Sequence, residues 1–309
     1  TGLWQLPDLL QTLPDETARL ARLCYAASPV SDWLDTPPEV FFSCAAHARY
    51  LRENVSWTRA LPEPLFLAYV LHPRVNNEAL CDCRPVFYAA LAERLRGLPE
   101  EAALLEINRW CAEHVVYQPT DERTRSALAV LRAGFGRCGE ESMFAVNVLR
   151  ACGFAARQVY VPRWAHCDDN HAWVEVRCGG AWHFLGACEP EAVLDRGWFN
   201  SAAGRAVLVH SRCFGEPEPG ADLIGREGDV VYCNETARYA DVRRLTVRVT
   251  DGNGVPAAGA NVDFCVLNNC EWYPAATVQT DASGMAALTC GLGSLRLLAR
   301  RDGLCCEAF

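Results

Sequence analysis

The hydrophobic pattern of this chain changes character twice, near residue 131 and again near residue 245. Before residue 131, apolar residues recur mainly at helical spacing, and proline and glycine interrupt them. In the clearest segment, Leu104, Ile107, Cys111 and Val115 follow one another along one face after Pro99. We therefore predict a mostly helical part over 1–130, with helices near 15–27, 38–52, 77–96 and 99–116.

Residues 131–212 combine one helix with short strands. The glycine-rich turn GFGRCGEES precedes a helix predicted over 143–151, and the apolar runs RQVYVP, HAWVEV and AWHFLG follow. Gly179 and Gly180 separate the last two runs, and adjacent glycines accept the positive φ angles of a tight hairpin. We predict an α+β fold in which the helical part packs on an antiparallel sheet.

The rest of the chain reads as an all-β module. Residues 213–244 are rich in turn residues and are predicted to be a connecting segment. Over 245–309, strand-like runs alternate with the turns DGNG and DASG, which is typical of a small antiparallel sandwich. The segments VTDGNGVPAAGANVDF and TDASGMAALT resemble modules of the carboxypeptidase-regulatory and bacterial Ig-like kinds. This resemblance implies spacing, docking or partner contact, and no catalytic residue.

Composition excludes several classes of protein. Half of the 309 residues are hydrophobic, which is enough for a sizeable core and rules out intrinsic disorder. The net charge of −9 argues against nucleic acid or an anionic membrane surface as the main partner. No apolar run reaches the roughly eighteen residues of a membrane span. The start at Thr1 lacks a signal-peptide pattern, and we expect the chain to be a trimmed piece of a longer protein.

The seventeen cysteines are odd in number and scattered through helical and strand-like segments. We expect most of them to be reduced core residues and not a disulfide framework. Such usage favours the cytoplasm, while a removed signal segment would leave the same sequence. Cys81 and Cys83 stand one residue apart with no second pair to complete a tetrahedron, so structural zinc is not expected.

Cys138 stands between Gly136 and Gly139, where a glycine-rich turn meets the start of a helix. Backbone N–H groups and the helix dipole at such a position stabilise a thiolate and can receive the oxyanion of a tetrahedral intermediate. His171 opens the strand HAWVEV after a polar turn, which is the expected place for a base. Each residue alone is more often structural, but together they have the logic of thiol catalysis.

Several motifs in a fixed order carry a family resemblance. GRCGEES, GFAARQVYVP, DNHAWVEV and AWHFLGACE, within about residues 100–200, resemble the transglutaminase-like superfamily of papain-like cysteine enzymes. GRCGE and ACE are most similar to the peptide N-glycanase branch, whose members cleave an amide bond on glycosylated asparagine. The resemblance implies Cys138 as the nucleophile and His171 as the general base.

The chain departs from this pattern at the third catalytic position. The family's Asp, which orients the histidine, corresponds to Gly186 here. Glu189, in GACEPE, matches an acid beside the site in the glycanase branch and is the preferred substitute, ahead of Asp169 and Glu175. Loss of the orienting acid lowers the rate without abolishing the dyad, and it leaves a degenerate, binding-only domain as an alternative.

Three tryptophans surround the predicted site in sequence. Trp164 lies in a polar segment and is predicted to contact substrate together with Asp169, whereas Trp173 and Trp182 are expected in the core. Trp110, on the helix upstream, is predicted either to approach the cleft as the family's upstream helices do or to anchor the core.

Two other chemistries fit less well. One short turn mixes soft and hard metal ligands, but its spacing is poor for coordination, and a ligating His171 would be lost to catalysis. Thr1 with a free α-amine would resemble an N-terminal nucleophile, yet a trimmed end explains it better. The turn's candidate ligands are His166, Cys167, Asp168, Asp169 and His171.

We therefore predict a thiol-dependent amide hydrolase, of the protease, amidase or glycanase-like kind, that forms an acyl-enzyme on Cys138. The alternatives are a protein-glutamine transglutaminase, in which a lysine amine resolves the thioester, and a non-catalytic binding domain. The expected partners are a peptide, protein or glycopeptide amide and a protein contact through the C-terminal sandwich. No cofactor and no metal is implied.

Overall fold

A computed structural model describes residues 5–121 and 123–309. Its N-terminal part is a layer of helices, because apolar residues three or four positions apart share one face only in a helix. The second and fourth helices coincide with the segments predicted near 15–27 and 38–52. In chain order the elements are α1 (Leu6–Gln11), α2 (Asp15–Ala26), α3 (Val30–Asp35), α4 (Pro38–Asn54), α5 (Ser56–Arg59), α6 (Glu63–Phe66) and a π-helical turn, Leu67–Leu71.

Longer helices follow, and the last of them is the most deeply buried. They are α7 (Arg84–Leu95), α8 (Glu100–His114), α9 (Ala127–Ala133) and α10 (Cys138–Ala151), with a short parallel pair β1 (Val116–Tyr117) and β2 (Phe135–Gly136) beside them. The helix predicted near 77–96 begins only at Arg84, because the Glu78 side chain accepts the N–H groups of residues 75 and 76 in a turn. Helix α10 begins at Cys138 instead of Met143, and it is buried from Glu140 onwards.

A six-stranded antiparallel sheet packs on α10. Its strands, in spatial order, are β5 (Ala181–Leu185), β4 (His171–Cys178), β3 (Ala156–Val161), β6 (His210–Phe214), β8 (Val230–Asn234) and β7 (Leu223–Glu227). The hairpin of β4 and β5 turns at Gly179 and Gly180 with φ of 56° and 83°, as predicted. Strands β7 and β8 lie in the segment predicted as a connection, so that segment also extends the sheet. The α+β fold class is confirmed.

The C-terminal region is β-rich and shares a core with the loop before β6. A hydrophobic cluster that includes Val262, Phe264 and Leu288 also contains Val207 and Leu208 from that loop. Helix α11 (Asn200–Ala203) and a 3-10 turn, Thr236–Arg238, complete the middle of the chain. The two C-terminal sheets are β9 (Val242–Arg248) with β12 (Met285–Gly291), and β11 (Glu271–Gln279), β10 (Asn261–Asn268), β13 (Arg296–Arg301) and β14 (Leu304–Ala308). The domain boundaries predicted from the sequence, between 1–130, 131–212, 213–244 and 245–309, stay predictions.

The structure bears on two expectations, the absence of a membrane-spanning segment and the reduced, buried state of most cysteines. No helix within residues 5–121 and 123–309 is long and apolar enough to cross a membrane. All seventeen cysteines lie in these ranges as free thiols, and ten of them are buried. Most of the cysteines therefore serve as small core residues.

Replacing Gly153 with alanine is expected to lower the free energy of unfolding by about 3 kcal/mol. Gly153 follows α10 with φ of +89°, and a Cβ atom there would overlap the Thr58 hydroxyl, which donates to the Gly153 carbonyl at 2.8 Å. Gly180→Ala is the matched control, because Gly180 has φ of +83° but no atom within 4 Å of its added Cβ. It should lose only about 1 kcal/mol. Urea denaturation measures both, and equal losses would show that the contact with Thr58 is irrelevant.

Candidate active site

A rigid turn places Cys138 at the first residue of α10. The fully buried carboxylate of Glu140 accepts the backbone N–H of Arg137 at 3.4 Å and forms an ion pair with Arg125 at 2.8 Å. Gly136 is required beside it, since an added Cβ would lie 2.9 Å from the Glu140 Cβ. The glycine-rich pattern therefore allows Glu140 to fasten the turn that presents the thiol.

Cys138 and His171 line one cleft, with a volume of roughly 420 Å³. His171 is the first residue of β4 and pairs with Val161 of β3. The backbone N–H groups of Ala172 and Gly139 donate to the Cys138 thiol. The structure thus brings together the two residues that the motifs single out, one from a helix start and one from a strand start.

Burial sets the protonation states of this pair. Desolvation raises the pKa of the Cys138 thiol above its ordinary value, although the N–H groups of Ala172 and Gly139 act in the opposite direction. Burial lowers the pKa of His171 to about 4, against a smaller raising effect of the Asp169 carboxylate. At pH 7 the pair is a neutral thiol and a neutral imidazole. The stabilised thiolate expected from the helix N-terminus is therefore not the resting form.

We expect alkylation of Cys138 by iodoacetamide to rise with pH, with a midpoint above the free-thiol value of about 8.5. A neutral His171 offers no positive charge, so His171→Ala should move this midpoint by less than about half a pH unit. Peptide mass spectrometry resolves Cys138 from the other cysteines. A midpoint well below 8.5 that rises in His171→Ala would instead identify a thiolate paired with an imidazolium.

The Glu189 side chain occupies the space that a side chain at position 186, the position of the family's orienting acid, would fill. A Cβ atom at Gly186 would lie 2.5 Å from Glu189 Oε2. The Glu189 carboxylate accepts the indole N–H of Trp198 at 2.9 and 3.0 Å, and the Trp198 ring lies 4.8 Å from the His171 ring. No described residue hydrogen-bonds to His171 Nε2, which is buried. Glu189 therefore reaches the imidazole through Trp198, and the direct bond that the sequence predicts is not made.

The two other candidate acids lie in different environments. Glu175 is fully buried and forms ion pairs with Arg157 at 2.6 Å and with Arg238 at 2.7 Å. The Asp169 carboxylate accepts the N–H of Asn170 at 2.7 Å, and its charge raises the pKa of His171. Of these two acids, Asp169 is the one that acts on the imidazole, and it does so through its charge.

Glu141 is a buried acid whose protonation depends in part on the charge of Glu189. Glu141, on the first turn of α10, is only 4% exposed. Desolvation and the neighbouring Glu189 charge raise the pKa of Glu141 to about 8. Desolvation also raises the pKa of Glu189. At pH 7 Glu141 is therefore mostly protonated.

Replacing Glu141 with glutamine is expected to stabilise the protein more at pH 9 than at pH 5. Because its pKa is raised from 4.5 to about 8, the folded parent protein holds a proton that the unfolded chain has lost, and its stability falls as the pH rises through this window. Glutamine does not titrate. Between pH 5 and pH 9, the difference in free energy of unfolding between variant and parent should therefore grow by at most about 5 kcal/mol, because each pKa unit corresponds to about 1.4 kcal/mol.

Urea denaturation of parent and variant at both pH values tests this expectation. Glu93→Gln is the control, because the Glu93 side chain is 76% exposed. A difference between Glu141→Gln and the parent that stays constant from pH 5 to pH 9 would contradict the raised pKa.

Of the tryptophans predicted near the site, Trp164 is not on the cleft surface, and Trp110 takes the core position that was its alternative. Trp164 is 3% exposed and Trp110 is 5% exposed, and each packs in a hydrophobic cluster. Neither belongs to the described residues that line the cleft. Trp198, 66% exposed and beside His171, is the aromatic residue that sequence analysis did not single out. Its signal is a tryptophan in a polar, turn-rich segment, DRGWFN, which is the criterion applied to Trp164.

Most of the other side chains that line the cleft are polar, and Val161, Pro162 and Ala172 add apolar surface. Gln158 lines the cleft and is buried, and its side-chain amide donates to the Gly139 carbonyl at 2.9 Å and to the Ser142 hydroxyl at 2.7 Å. The described residues hold no group of three or more metal-ligating side chains suited to an ion. The further polar residues that line the cleft are Asn76, Thr120, Asp121, Arg137, Tyr160, Arg163 and Asn170.

A helix-borne cysteine and a strand-borne histidine in one cleft are typical of the papain-like class of cysteine enzymes. Residues 89–187 match the family model of the Transglutaminase-like superfamily, and this region is a transglutaminase-like domain. A similar solved structure is that of a candidate cysteine protease from Cytophaga hutchinsonii, with 14% identity, 60% of this chain and 68% of that chain covered, and a TM-score of 0.35. The comparison with curated proteins found no significant match.

Proposed function

We propose that this protein is a thiol-dependent amide hydrolase. Cys138 attacks the carbonyl carbon of an amide while its thiol proton passes to His171, and the imidazolium then protonates the leaving amine as the C–N bond breaks. Water, deprotonated by His171, hydrolyses the thioester and regenerates the thiol. The observation that carries this proposal is the position of Cys138 and His171 in one cleft.

The neutral resting pair sets the order of the proton transfers. At neutral pH the unprotonated His171 can accept the thiol proton, but its pKa of about 4 makes it a weak base for that step. The same low pKa makes the imidazolium a strong acid toward the leaving amine. The N–H groups of Gly139 and Ala172, which donate to the thiol, are the candidates to receive the oxyanion of the tetrahedral intermediate.

The surroundings of the thiol favour hydrolysis over transfer to an amine. Transfer requires that water be kept away from the thioester. Most of the side chains that line the cleft are instead polar, among them Thr120, Asp121 and Asn170. Such a surface suits a hydrated peptide or glycopeptide. The binding-only alternative is supported by Gly186 and by the unpartnered Nε2 of His171 among the described residues.

A panel of peptides, primary carboxamides and an asparagine-linked glycopeptide tests the proposal, each with and without a lysine-like amine. We expect a free acid as the product under both conditions, and an acyl adduct on Cys138 after acid quenching. An amide formed with the added amine would indicate a transglutaminase. The proposal fails if no member of the panel gives a product or an adduct while the protein remains folded.

A further inference from the structure

The loop that precedes His171 touches the C-terminal β-rich region. This β3–β4 loop, residues 162–170, joins β3 to β4 and leads directly into His171. Its residues Pro162, Arg163 and Asn170 form part of the cleft wall. The turn between β10 and β11 lies against the loop, so an element some hundred residues away in sequence meets the cleft.

Asn268, the last residue of β10, makes the central contact. It is fully buried, and its side-chain amide donates to the backbone carbonyls of Trp164 and Cys167, each at 2.9 Å, and of Asp169 at 3.1 Å. An amide NH₂ group has two hydrogens, so one of them is shared between two of these carbonyls. One side chain thus gathers three carbonyl oxygens of a single loop.

Two further contacts fasten the same two elements. The backbone N–H of Asn269 donates to the Asp168 carboxylate at 2.6 Å. Asn269 and Cys270 have φ of 50° and 60°, the left-handed conformation of a tight two-residue hairpin, and this points the end of β10 at the loop. From β11, the Tyr273 ring lies 4.5 Å from the Arg163 guanidinium.

We propose that Asn268 is a positioning residue for the active site and that the C-terminal β-rich region is in this way a functional part of the cleft. The catalytic consequence rests on the proposed function, whereas the structural consequence does not. Asn268 holds the loop that carries the Asp169 carboxylate, and the charge of that carboxylate acts on both Cys138 and His171. Within the loop, the N–H of Trp164 donates to the Asp169 carbonyl at 3.0 Å, and that carbonyl is also an acceptor of Asn268.

Release of the loop would change the charges near the Cys138 thiol and therefore its reactivity. Asp169 raises the pKa of Cys138 and Arg137 lowers it, while Asp169 also raises that of His171. If the loop moves away, the thiol loses the nearby negative charge and becomes more exposed. Both changes make Cys138 easier to alkylate, whereas a loss of overall stability alone would not lower its midpoint.

Asn268→Asp is the sharpest variant, because it turns the donor amide into a carboxylate that faces three carbonyl oxygens at nearly unchanged size. Asp168→Ala is the second variant; it removes the partner of the Asn269 N–H from the loop side. Asp281→Ala is the matched control, since Asp281 accepts the N–H groups of Ser283 and Met285 in another turn of the same region.

Hydrogen exchange of peptides covering residues 163–170, measured on the full chain, is the primary readout. We expect exchange at least about tenfold faster in Asn268→Asp and a smaller increase in Asp168→Ala, with no change in Asp281→Ala. The alkylation of Cys138 should become about three- to tenfold faster at pH 8 in the same two variants, with a lower midpoint.

Unchanged exchange in both loop variants, or an equal increase in Asp281→Ala, would overturn the proposal. Should Asn268→Asp fail to fold, Asp168→Ala decides alone. Failure of the proposed function looks different. In that case Cys138 forms no acyl adduct in the parent protein, while the exchange rates of residues 163–170 still separate the loop variants from the control.

Discussion

Replacing Cys138 with alanine should lower kcat/KM for amide hydrolysis by at least about a thousandfold and abolish the acyl adduct. The thiol is the atom that bonds to the substrate carbonyl, and a methyl group cannot replace it. His171→Ala should cost a smaller factor, about a hundredfold to ten-thousandfold, because water can take part of the proton transfer. Steady-state kinetics on the best substrate of the panel, with mass spectrometry of the trapped enzyme, measures both effects.

Cys305→Ala is the control for this pair of variants. Cys305 is an exposed cysteine on β14, outside the described lining of the cleft, and its loss should change kcat/KM by less than about twofold. A Cys138→Ala protein that keeps a tenth or more of the parent rate would show that another group performs the attack. The circular dichroism spectrum of each variant verifies that the fold is retained.

Replacing Arg157 with methionine should lower the free energy of unfolding by about 3–5 kcal/mol. The Arg157 side chain is 5% exposed and forms ion pairs with Glu175 at 2.6 Å and with Glu235 at 2.7 Å. Its guanidinium also lies 4.2 Å from the Trp182 ring. Methionine fills similar volume but leaves two carboxylates buried without their shared partner, and that uncompensated charge dominates the loss.

Arg96→Met is the matched control, because Arg96 pairs with Glu93 at the surface, where their side chains are 75% and 76% exposed. Solvent screens such a pair, and its loss should cost less than about 1 kcal/mol. Urea denaturation at pH 7 compares the two variants with the parent. A loss below about 1 kcal/mol in Arg157→Met would mean that the remaining carboxylates are neutralised by protons or reached by water.

Much of the fold follows from patterns that are local in the sequence. Helical periodicity places α8 within two residues of the segment predicted near 99–116, and Gly179 with Gly180 places the hairpin. The start of α7 was not predictable in this way, since it depends on the Glu78 side chain and its backbone partners. The extension of the sheet by β7 and β8 was missed because turn residues outnumber apolar ones over 213–244.

The sequence by itself determined which residues could carry the chemistry, because the turn around Cys138 and the strand that begins at His171 are encoded by adjacent residues. Only the tertiary structure decided how they act. Burial makes the pair neutral, and Glu189 turns to Trp198 because Gly186 leaves room for its carboxylate. The hydrogen bonds from Asn268 to the loop of the cleft wall likewise cannot be predicted from the sequence. Desolvation and contacts between distant residues depend on how the elements pack, and no local pattern encodes that packing.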